Sequence, residues 1–104
     1  MAWVWLISAG FSEVLFATFL KLSEGFSKPV YSIAFVIAAA FSFLCLTRAM
    51  QSIPIGTAYA VWTGIGAAGV VILGVVLFSE PLSAGRLFFL STLVASIIGL
   101  KLVS

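Results

Sequence analysis

The sequence predicts an all-α integral membrane protein with four transmembrane helices per chain. Three observations carry that expectation. Hydrophobic residues make up 63% of the 104-residue chain and charged residues only 8%, against roughly 45–50% and 25% in ordinary soluble domains. A soluble domain this small has too much surface for its volume to hide so much apolar material. The few charges and turn residues also divide the chain into four long apolar runs, each near the roughly 20 residues that cross a bilayer core.

The first run, residues 2–20, is apolar or small throughout except for Glu13. It has no basic leading region and carries a carboxylate at its centre, which argues against a signal peptide. The polar segment from Lys21 to Lys28, with Glu24, Gly25 and Ser27, ends it. The second run, residues 29–47, starts at Pro29 and stops at Arg48, and Gln51, Ser52, Pro54 and Gly56 form the next turn. The third run, residues 57–78, ends where Ser79-Glu80-Pro81 breaks the helix. The fourth covers residues 86–103, and its uninterrupted stretch from Leu87 to Leu100 is the shortest. Lys101 therefore extends its ammonium to the headgroups or is held inside the protein. One domain, residues 1–104, accounts for the whole chain. Uncharged runs without alternation do not read as barrel strands.

Composition also excludes several chemistries. With no histidine and one cysteine, there is no zinc site, disulfide framework or Ser-His or Cys-His nucleophile. No metal or cofactor is expected, and neither is an enzyme. Five basic and three acidic side chains give a net charge of +2, which is not a nucleic-acid footprint.

Glu13 is the most informative residue. It lies about 18 Å along the first helix from Met1, a depth at which acidic side chains are expensive, rare and usually functional. A carboxyl group there can hold a proton or a cation, but not both comfortably. That exclusion is the core of a proton-coupled cation exchanger. The alternative is a protonated carboxyl hydrogen-bonding a neighbouring helix. Gly10, with Ala9 and Ala17, shares the face of Glu13 and leaves room for a ligand or for close packing.

In the third helix, Tyr59, Trp62 and Gly66 follow helical spacing. Tyr59 and Trp62 offer ring faces to a cation and polar tips to a carboxylate or ligand. Trp3 and Trp5 read as interface residues. Gly64 and Gly66 bracket Ile65, either loosening the helix for a bend or allowing close packing. Ser42, the hydroxyl in the middle of the second run, could orient Glu13 or a substrate, or bond its own helix backbone. Cys45 reads as packing, Lys21 and Lys28 as interface anchors, and Glu24 and Glu80 as solvated loop charges.

Orientation follows from the basic residues of the short loops. Lys21, Lys28 and Arg86 fall on one side, and Arg48 and Lys101 on the other. Such a slight bias predicts insertion both ways, and oppositely oriented copies could pair as an antiparallel dimer. Ser91, Ala95 and Gly99 recur every four residues in the fourth helix, the small-xxx-small pattern that lets helix backbones approach. They are the candidate dimer contact. The competing function classes are a passive channel and a membrane assembly subunit without transport of its own. The first would need a continuous polar path, and the second gives no reason for Glu13.

These residues resemble the small multidrug resistance family of four-helix exporters. The match is Gly56-Thr57-Ala58-Tyr59-Ala60-Val61-Trp62-Thr63-Gly64-Ile65-Gly66 with Ile53-Pro54 before it. Glu13-Val14, Lys21 with Gly25-Phe26, and Ser42-Phe43 accompany it. The resemblance implies an antiparallel, dual-topology homodimer in a bacterial inner membrane that exchanges protons for organic cations. It implies a substrate and proton site at Glu13, Ser42, Tyr59 and Trp62, lined by Gly10, Phe16 and Thr63. A helix bend would fall at Gly64 to Gly66 and dimer contacts on the fourth helix. Gly10, Ala17, Thr57, Thr63 and the ending Gly99-Leu100-Lys101 resemble the guanidinium-exporter subtype, whereas Thr18 is similar to the broad-specificity quaternary ammonium branch. Phe16 stands where the guanidinium subtype has a tryptophan, and Gln51 where it has a lysine. Guanidinium needs fixed hydrogen-bond acceptors, and a quaternary ammonium needs aromatic faces, charge and apolar contact. Losing an indole at position 16 relaxes the first demand more than the second. Guanidinyl cations are the expected substrates, with quaternary ammonium compounds as possible additions or, alternatively, as the main cargo of a multidrug exporter.

Overall fold

A computed structural model describes residues 1–103 as four α-helices: α1 (Ala2–Leu22), α2 (Pro29–Ala49), α3 (Ile55–Leu77) and α4 (Ala84–Leu102). All four are long and apolar enough to cross a membrane. At 1.5 Å per residue the 23 residues of α3 span about 34 Å, and the hydrocarbon core of a bilayer is roughly 30 Å thick.

Local chemistry sets the ends. α1 runs past Lys21 and stops where the Ser23 amide donates to the Phe19 carbonyl at 2.9 Å. The chain then turns through Glu24, Gly25 and Phe26, all at positive φ, a conformation that only glycine takes without steric cost. Buried Ser23 steadies this turn, donating to the Leu20 carbonyl at 2.7 Å and accepting from the Phe26 amide at 3.2 Å. Pro29 opens α2 at a position where a missing amide hydrogen costs nothing. α3 begins at Ile55, two residues before the expected Thr57, because the Pro54 carbonyl already accepts from the Ala58 amide at 2.9 Å. α4 likewise begins before Arg86. The Ser83 hydroxyl accepts from the Arg86 amide at 3.1 Å and caps the first turn.

α1 lies between α2 and α3, which scarcely meet each other, and α4 packs on α3. The result is a flat layer of 41 × 35 × 17 Å. Glycines let the helices approach. A Cβ on Gly10 would lie 2.7 Å from Ile65 Cγ2, and one on Gly64 would lie 2.7 Å from Ile97 Cδ1. A Cβ on Gly69 would overlap Val14, and one on Gly66 would overlap the Glu13 carboxyl. α1 and α3 therefore interlock through three successive pairs, Gly10 with Ile65, Glu13 with Gly66, and Val14 with Gly69.

The buried cluster includes Leu6, Ala9, Cys45, Leu46, Val61 and Trp62. It occupies the end of the layer where α1 starts, α2 finishes and α3 starts. Most other large apolar side chains face outward, among them Ile33, Ile37 and Phe41 on α2 and Val76 and Leu77 on α3. α4 buries none of its residues. That inversion suits a hydrocarbon solvent, which does not penalise exposed apolar surface.

Candidate functional site

Three helices bring the site together. Ser42 on α2 is fully buried. Its hydroxyl donates to the Ala9 carbonyl of α1 at 2.7 Å and accepts from the Trp62 indole Nε1–H of α3 at 3.0 Å. One small side chain thus ties three helices at a single point. The sequence left Ser42 a choice between the site and its own helix. The hydroxyl takes neither its own backbone nor Glu13, and bonds across helices instead.

Trp62 is only 9% exposed, and its ring lies 5.8 Å from that of Phe43 and 5.7 Å from that of Tyr59. Tyr59 is 58% exposed, so this end of the cluster opens on the surface of the chain. Phe16 continues the aromatic contacts, 6.1 Å from Phe43 and 5.8 Å edge-on to Phe35. Phe26 lies 5.7 Å beyond Phe35. Rings therefore touch in sequence from the α1–α2 turn to Tyr59. The centre-to-centre distances fall in the range favoured for aromatic pairs, about 4.5–7 Å.

Glu13 sits on α1 with its carboxyl against the bare backbone of Gly66. Its Oε1 is buried, and no donor among the described residues reaches it. The Ser42 and Trp62 donors are committed elsewhere. The other expected site residues divide. Gly10 is buried and receives Ile65, and Gly66 receives Glu13. Thr63 is exposed and donates to the Tyr59 carbonyl of its own helix at 2.8 Å, so the fold does not draw it into the cluster. α3 runs as continuous α-helix through Gly64, Ile65 and Gly66. In this arrangement the two glycines act as seats, for Ile97 and for Glu13. Ser91 and Ala95 are exposed on α4 and Gly99 is half-buried. A Cβ on Gly99 would meet open space.

One feature escaped the sequence reading, and another was named there only within the Ser42-Phe43 match. The Ala9 carbonyl is a backbone atom with no signal in residue type. Phe43, one phenylalanine among ten, had no role assigned in that match, and its ring contacts with Phe16 and Trp62 supply one. Among the described residues there is no group of three or more histidine, cysteine, aspartate or glutamate side chains able to hold a metal ion.

Comparison with known proteins agrees with this architecture. The family model described as Small Multidrug Resistance protein matches residues 1–93. The chain belongs to the small multidrug resistance family. Members similar to it include the "Guanidinium exporter" of Yersinia pseudotuberculosis, 53% identical over 104 residues and spanning 100% of both chains. The "Guanidinium exporter" of Salmonella typhimurium is 48% identical over 102 residues, covering 98% of this chain and 97% of its own. That of Citrobacter freundii matches at the same identity and coverage. With four spanning helices and such bacterial relatives, this small multidrug resistance protein is a multi-pass inner-membrane protein.

Proposed function

We propose that the protein exports small organic cations in exchange for protons, with guanidinium and substituted guanidinyl compounds as favoured cargo, working as an antiparallel, dual-topology homodimer. The observation that carries this reading is the Glu13 carboxyl, buried at Oε1 and unpartnered. A carboxyl group in an apolar span with no donor of its own is free to take a proton or a cation. Arriving cargo displaces the proton, and reprotonation releases the cargo. The names of the relatives support guanidinium as cargo.

In this reading Glu13 is the exchange residue. Ser42 holds the Trp62 indole still, and Tyr59 and Trp62 present ring faces to the cation. Gly10, Phe16 and Thr63 line the site. Gly64 and Gly66 permit α3 to bend between inward- and outward-facing forms. α4, with no buried residue, supplies the face through which Ser91, Ala95 and Gly99 meet the second copy. That copy closes the open side at Tyr59 and Thr63.

One observation favours a second cargo class. The contacts among Phe16, Phe43, Trp62 and Tyr59 give a quaternary ammonium the aromatic surroundings it needs.

The test is uptake into proteoliposomes under an imposed pH gradient, comparing guanidinium, a substituted guanidine and a tetraalkylammonium ion. Wild-type protein should exchange the first two, and Glu13→Gln should insert and dimerise but exchange nothing. Gradient-driven uptake by Glu13→Gln defeats the mechanism. Large single-channel currents would indicate a passive pore, and absence of cation binding at any pH an assembly subunit.

A further inference from the structure

A groove of about 360 Å³ runs along the outer side of the layer between α1 and α4, with α3 as its floor. Trp3, Ile7 and Phe11 form one wall, Ile65 part of the floor, and Ile98 and Lys101 the other wall. Its lining is apolar except at one end, where the Lys101 ammonium lies 5.8 Å from the centre of the Trp3 ring. We propose that this groove holds an acyl chain of an anionic phospholipid whose phosphate pairs with Lys101.

The dimensions fit that occupant. Trp3 to Phe11 is about 12 Å of helix, close to half of the roughly 30 Å hydrocarbon core. The groove thus reaches from the interface to near the bilayer centre, the depth of one acyl chain in one leaflet.

The charges fit as well. Among the described residues, no side-chain carboxylate lies at the Lys101 end. Glu13 is in mid-span, and Glu24 and Glu80 are in the loops at the opposite end. Those two are paired at 3.0 Å with Lys28 and at 3.5 Å with Arg86. An anionic headgroup therefore meets a cation with no side-chain carboxylate among the described residues to repel it, whereas a choline headgroup brings a cation of its own. The Ser91, Ala95 and Gly99 face is centred about a quarter turn around α4 from Ile98 and Lys101.

The experiment is native mass spectrometry of the full chain released from detergent with phosphatidylglycerol or phosphatidylcholine of identical acyl chains. Wild-type protein should retain phosphatidylglycerol roughly five-fold more strongly, the factor expected for one lysine at an anionic surface. Lys101→Gln should abolish the preference, and Ile98→Trp, which fills the groove, should remove the bound lipid of both kinds. Retention of the preference in Lys101→Gln, or unchanged lipid binding in Ile98→Trp, overturns the proposal. So does an Ile98→Trp variant that keeps its lipid and loses self-association, because the groove would then be a contact between copies. None of these readouts involves Glu13, so the exporter reading stands or falls separately.

Discussion

Replacing Gly66 with alanine should separate the stability of α3 from the use of Glu13. The added methyl would overlap the Glu13 carboxyl and lie 2.9 Å from its Cγ. What it meets is the far end of a flexible side chain, which can swing into another conformation at a cost of about 0.5–1.5 kcal/mol. Alanine in place of glycine within a helix gains roughly 0.8–1.0 kcal/mol. The two effects cancel to within about 0.7 kcal/mol, so the variant should fold, insert and melt close to wild type. Its carboxyl, however, must leave the seat it occupies. Displacement by about 1 Å in a preorganised site costs on the order of 100-fold in rate, and pH-driven guanidinium exchange in proteoliposomes should fall by that factor. Gly69→Ala, a turn away, is the control. Its methyl would overlap Val14, with Val14 Cβ at 3.3 Å, and a β-branched side chain cannot rotate clear. Overpacking there should cost about 1–3 kcal/mol, visible as a lower melting temperature in detergent. Wild-type exchange by Gly66→Ala would refute the reasoning, because Glu13 would then work equally well away from that seat.

Two further outcomes are expected. Ser42→Ala removes the acceptor of a buried indole N–H and should destabilise the protein by about 1–3 kcal/mol. Trp62→Phe introduced into that variant should restore part of the loss, measured as a double-mutant cycle of thermal melts. A Cβ on Gly99 meets no atom within 4 Å, so in Gly99→Leu helical content by circular dichroism should hold while self-association in detergent, measured by sedimentation, weakens. Unchanged association would remove Gly99 from the dimer contact.

The spanning helices were legible because charge and proline placement is a local property of the chain. Lys21 and Arg48 each stand one residue from a helix end, and Pro81 lies in the break between α3 and α4. The ends shifted where capping, not charge, decides them, as when Ser83 starts α4 ahead of Arg86. Glu13 was legible for a related reason, since a carboxylate in an otherwise uncharged span stands out without knowledge of its neighbours. Its surroundings were not. Ser42 and Thr63 are both hydroxyls in apolar helices, yet one joins three helices and the other bonds its own backbone. Nothing in their immediate sequence distinguishes them.

The amino-acid order alone therefore determined that the chain crosses a bilayer four times and carries one acidic group at depth. Both follow from the transfer energy of residues into hydrocarbon, which each segment meets for itself. Which donor is taken, which side of a glycine a carboxyl rests against, and which helix face stays open were decided by the tertiary structure. Those depend on the rotation and spacing of neighbouring helices, set where Gly10, Gly66 and Gly69 let α1 and α3 close together.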